Sequence, residues 1–112
     1  MISMKDIQAA IAGVVGRCYP LTVPEKPIAP YAIYMQVSNT PEVTMENTIP
    51  VESTRIQVDV FSKTYAEVQD LSDQIRSAMM NLGAIPLSAG DLYEGEVKLY
   101  RVTQDFSIWF KK

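Results

Sequence analysis

The chain has 112 residues, 47% of them hydrophobic and 21% charged, and a formal net charge of −3. That length supports one domain with one modest core. No apolar run reaches the ~18–20 residues of a membrane-spanning helix, and the ten basic residues are scattered, with only Lys111 and Lys112 adjacent. A basic stripe able to grip a nucleic-acid backbone is therefore not expected. The first residues, MISMKDIQAA, carry an acid at position 6 and no basic-then-apolar order, so no secretory signal is expected there. The single Cys18 cannot form an internal disulfide, which fits a reducing compartment.

Ser3 followed by Asp6 has the form of a capping box. Ile7, Ala10, Ile11 and Val14 then recur at helical spacing up to Gly16, which predicts an amphipathic helix over about residues 4–15. Residues 17–30, RCYPLTVPEKPIAP, hold four of the seven prolines and are expected to form an extended connector. YAIYMQVS, residues 31–38, reads as a strand with alternating faces. The polar segment 39–54 between them and the next strand is expected to be a long mobile loop that orders on assembly.

RIQVDVFS, residues 55–62, alternates again: Ile56, Val58 and Val60 on one face, Arg55, Gln57, Asp59 and Phe61 on the other. Thr64 and Glu67 form a second capping box, and Tyr65, Val68, Leu71, Ile75, Ala78, Met79 and Leu82 make one helical stripe closed by Gly83. Residues 84–95 read as a turn-rich link with a short strand around 85–87. Residues 96–112 alternate as one long strand, or as two halves broken by a bulge near Gln104 and Asp105. The expected order is α-β-β-α-β-β: an α+β domain, a mostly antiparallel four-stranded sheet with two helices packed on one face.

Chemistry is scarce in this inventory. Histidine, the commonest general base and metal ligand, is absent. Cys18 lacks a base partner by residue type, one cysteine cannot build a thiolate metal cage, and the five glycines form no phosphate-cradling motif. No catalytic, cofactor-binding or metal-binding residue is expected, and no cofactor. Asp91, Glu94 and Glu96 cluster in sequence but read as solvated turn acids, and Asp59 as the partner of Lys98 or Arg101 across the sheet. Phe61 and Trp109 lie on the polar faces of their strands, a placement that marks contact surfaces unless a helix or the proline-rich arm covers that face.

Tyr19-Pro20 ahead of Pro30-Tyr31, then an Arg-x-Gln-x-Asp-x strand at 55–60 running into Thr-Tyr-x-Glu at 64–67, resembles the small tail-completion and tail-terminator proteins of long-tailed bacteriophages and prophages. The likeness spans about residues 17–80 and is structural, so it does not separate a terminator from a related head–tail connector. It implies one tail-terminator-like domain over 1–112 and a non-enzymatic virion protein assembled in the bacterial cytoplasm. Such a protein forms a homo-oligomeric ring, commonly a hexamer. The ring caps the tail tube, ends its polymerisation and offers a joining surface to the head connector, while DNA passes through without specific binding. Arg55, Asp59, Phe61 and Trp109, with Glu42 and Glu46 from the loop, are the residues expected at subunit or tail-tube contacts. A dimeric α+β ligand-binding or regulatory module, and a hydrolase using the acids of 91–96, remain the alternatives.

Overall fold

The computed structural model describes residues 3–22, 27–42 and 51–111, and the side chains of these apart from 38–42, 51–53 and 109–111. The elements follow as α1 (Met4–Val15), β1 (Cys18–Pro20), β2 (Tyr31–Glu42), β3 (Val51–Ser62), α2 (Tyr65–Asn81), β4 (Ile85–Glu94) and β5 (Leu99–Lys111). α1 begins where the sequence predicts: the Ser3 backbone N–H donates to the Asp6 carboxylate at 2.9 Å. It ends at Gly16, whose φ of 65° lies where a side chain would be strained. In α2 the Thr64 hydroxyl accepts from the Glu67 N–H at 3.2 Å. The glutamate half of that box is rerouted: Ser62 Oγ donates to the Glu67 carboxylate and accepts from the Thr64 N–H.

The sheet has five strands in the order β1-β2-β3-β5-β4, not four. β1 pairs parallel with β2 and every other pair is antiparallel, so the sheet is mixed. β3 and β4 therefore run parallel with β5 between them, and α2 links them as a split β-α-β unit. Three expectations are corrected here. The proline-rich connector supplies an edge strand, which Pro20 tolerates because an edge position can go without a donor. The 84–95 link is a ten-residue strand, made possible by the free side of the long β5. Half of the 39–54 segment is sheet: Asn39 to Glu42 pair with Thr54 to Val51, and the rest of the expected loop, 43–50, lies outside the described residues. The register of β3 on β5 runs unbroken from Val51 to Ser62; the break lies on the other side of β5, between Pro86 and Ser88 of β4.

Both helices cover one face. Ile7, Ile11 and Val15 of α1 meet Val68, Ile75 and Met79 of α2 over Ala32, Tyr34, Ile56, Val58, Val60, Val102, Phe106 and Ile108. Each large apolar side chain removed from water here contributes about 1.5–3 kcal/mol. Gln104, which interrupts the apolar face of β5, is buried in this layer and its amide donates to the Ser72 carbonyl at 2.9 Å. Tyr65 leaves the α2 stripe: it is half exposed, and its hydroxyl donates to Asp91 at 2.6 Å.

Candidate interaction surface

Strand alternation commits one face to the helices and leaves the other to Arg55, Gln57, Asp59 and Phe61 of β3, Arg101, Thr103 and Asp105 of β5, and Ser88, Leu92 and Glu94 of β4. Asp59 is the centre of this face. Although no helix covers it, it is only 3% exposed. Its carboxylate accepts from Arg101 Nη2 at 2.8 Å, from Thr103 Oγ1 at 2.7 Å and from Gln57 Nε2 at 3.2 Å. Arg101 also donates through Nη1 to Glu94 at 2.9 Å, which ties β3, β5 and β4 together through one guanidinium. Burial alone would lower the Arg101 pKa, but the Glu94 hydrogen bond and the Asp59 charge outweigh it and raise the value, so the cation is fixed. Its Nε is buried and, among the described residues, has no acceptor.

Beside this network lies an aromatic cluster. Phe61 stacks on Tyr31 with centroids 4.8 Å apart, Tyr19 follows at 6.5 Å from Tyr31, and the Arg101 guanidinium carbon sits 5.5 Å from the Phe61 centroid. Burial, then the nearby Glu94 charge, raise the Tyr31 phenol pKa against the opposing Arg101. Next to Phe61 an open hollow of about 530 Å³ is bounded by Glu94, Gly95, Glu96, Val97 and Arg101.

The six residues expected at contacts separate accordingly. Arg55 is half exposed and pairs with Asp105 at 3.4 Å. Phe61 is 8% exposed: Tyr31 stacks on it, Leu99 shares their cluster and the arm residues Tyr19 and Ala29 pack against that cluster, so of the two readings the covered one holds for Phe61. Asp59 pairs with Arg101, one of the two partners its strand position suggested. Glu42 lies opposite Val51 and Trp109 opposite Ser53, but their side chains, and all of Glu46, lie outside the described residues. The acids of 91–96 act as ties: Asp91 also accepts from Gln69 at 3.0 Å and Glu94 holds Arg101, while Glu96 sits exposed in the turn before β5. The arrangement fixes strand register and carries charge. The sequence reading missed the exposed apolar side chains of β4, Ile85, Leu87, Leu92 and Tyr93, because the Pro, Ser and Gly between them read as a turn.

Residues 5–111 match the family model described as Tail completion protein gp17. The chain belongs to this family. It is thus one of the structural proteins of phage tail assembly. The fold is also that of a chain in a solved structure entitled "Virion of native gene transfer agent (GTA) particle", with a TM-score of 0.55 at 14% identity, covering 93% of this chain and 86% of the other. No curated protein sequence matches it.

Proposed function

We propose that this tail completion protein works as a hexameric ring that caps the tail tube, ends its polymerisation and presents the surface to which the head connector joins. The observation that carries the reading is the family match over nearly the whole chain. The fold shared with a chain of a virion particle supports it. So does the investment of the buried polar network in holding strands rather than in chemistry, which suits a structural role without catalysis.

Contacts with the tube or the head connector are assigned to the end of the sheet where only β2, β3 and β5 run together, beyond the Ile85–Ser107 pair. Arg55 lies at the root of that end, and the strand positions of Glu42 and Trp109 lie farther out, with Glu46 following Glu42 in the chain. Asp59 and Phe61 support the surface from within. Each copy is net negative, so a ring of six repels the DNA that passes through it.

The test is electron microscopy of negatively stained tail tubes of the same particle assembled with and without the protein. Tubes of uniform length with a ring at one end are expected. Ends without added density and an unchanged length distribution would refute the reading. Failure of capped tubes carrying Arg55→Glu to take up heads would place that residue at the joining surface.

A further inference from the structure

Two edges of the sheet have no neighbour among the described residues. β4 closes one side, and on the other side β1 covers β2 only from Ala32 to Tyr34, after which β2 runs on to Glu42 uncovered. An open edge presents unpaired N–H and C=O groups and invites another strand. Each edge is also blocked at one end. β4 opens with Pro86 and the register break before Ser88; β2 ends its free stretch at Pro41, which has no N–H to give.

These features complement each other. Because β2, β3, β5 and β4 alternate in direction, β2 and β4 run oppositely. A copy rotated about an axis along the strands lays its β2 antiparallel to the first copy's β4, with the helices of both on the same side. The blocked start of β4 then meets the blocked end of β2, and the 95–98 turn meets β1. With Met35 opposite Glu94, Gln36 falls opposite Tyr93, and the bulged Val37 and Ser38 meet Leu92. Tyr93 lies on the helix side of β4, more than half exposed and edge-on to Tyr100 at 5.0 Å. At the edge of β2 there is a hollow of about 400 Å³, lined by Met4, Pro20, Leu21, Tyr34, Met35 and Gln36.

We propose that copies of this chain join head to tail through these edges, residues 90–94 of one pairing antiparallel with residues 35–40 of the next and Tyr93 seated in the hollow beside Met4. The proposal rests on the ring reading above and names its subunit contact. Self-pairing of β4 is disfavoured by charge: the register that uses all of 88–94 sets Asp91 against Asp91, whereas residues 35–37 carry no charge. Two different patches on each copy make a heterologous contact, the kind that closes into rings.

The test uses Val37→Cys and Leu92→Cys, both at exposed side chains. The variants are mixed at high concentration, with and without tail tubes, and treated with a short bismaleimide. A cross-linked dimer at least tenfold above either variant alone is expected, together with a ladder from the double variant. Wild type reports any background from Cys18, whose half-buried thiol has its pKa pushed up to about 11. Leu92→Cys cross-linking to itself as well as it does in the mixture would overturn the proposal, as would no cross-link under either condition. Tyr93→Ala is expected to weaken self-association in sedimentation at least tenfold with the fold intact by circular dichroism; unchanged association overturns the seating of Tyr93. Copies that cross-link yet leave tube ends bare would sink the tail-end role and keep the edge pairing. Rings at tube ends without cross-links would do the reverse.

Discussion

Asp59→Ala probes how much of the sheet is held by its exposed-side network. The substitution removes the acceptor of a 2.8 Å bond from Arg101 and a 2.7 Å bond from Thr103, at a site 3% exposed. Removing one partner of a fully buried ion pair costs about 3–5 kcal/mol, because the other charge is stranded. Here Arg101 keeps Glu94 at 2.9 Å and its side chain is 26% exposed, so part of its charge is met by water. The expected loss is therefore lower, about 2–3 kcal/mol, which at about 4 °C per kcal/mol for a domain of this size lowers Tm by about 8–12 °C. Glu94→Ala removes the more exposed partner and should cost under about 1 kcal/mol. Arg101→Lys keeps the charge but loses the fork that reaches both carboxylates, and should fall between the two. Urea unfolding of the three variants gives their order, and that of Asp59→Ala, Arg101→Met and the Asp59→Ala/Arg101→Met double variant against wild type gives the coupling energy, expected above about 1.5 kcal/mol. An Asp59→Ala protein within about 0.5 kcal/mol of wild type, or one no worse than Glu94→Ala, would refute the view that this carboxylate organises the face.

Three further outcomes follow from the interior and its caps. Phe106→Ala empties a fully buried ring site between the sheet and helices and should cost about 3–5 kcal/mol by urea unfolding. Thr64→Ala removes the side-chain acceptor of the Glu67 N–H and should cost about 1 kcal/mol, while Thr64→Asn should recover most of it. Cys18 is held protonated by burial, with its pKa at about 11 against the ordinary 9.0, so the fold gains from the neutral thiol below pH 9 and loses that gain as pH climbs through 11. At pH 8–9 iodoacetamide should label the folded chain at least about tenfold more slowly than the chain in denaturant; equal rates would contradict the burial.

The helices and the faces of β3 were legible because burial imposes its period on the sequence. Ile7 and Ile11, or Val68, Ile75 and Met79, recur as a helix must present them, and Ile56, Val58 and Val60 as a strand must. Propensity failed where pairing overruled it. Asn39 and Pro41 are poor strand material, yet they continue β2 because β3 offers them partners from Thr54 outwards. Ser88 and Gly90 are likewise poor, and become strand because β5 has a second side to fill. Phe61 shows a different limit. Its periodicity assigned the correct face, but a face turned from the helices is not the exterior when Tyr31 and the arm close over it.

That distinction bears on where the molecule can bind anything. The outer face is consumed at its centre: Asp59, Phe61 and Tyr31 are buried without any partner chain, so a partner gains nothing from them directly. Apolar area still open to water is concentrated instead on β4, at Ile85, Leu87, Leu92 and Tyr93, with Leu21 and Val37 at the opposite edge. The buried network then has a use beyond stability. By joining β3, β5 and β4 through Arg101, it fixes the line of β4 relative to the rest of the sheet. If that edge is a subunit contact, Glu94→Ala should weaken association far more than it weakens folding. Comparing its sedimentation with its urea midpoint would separate an edge that is merely exposed from one held in place for a neighbour; parallel losses in both would argue for the former.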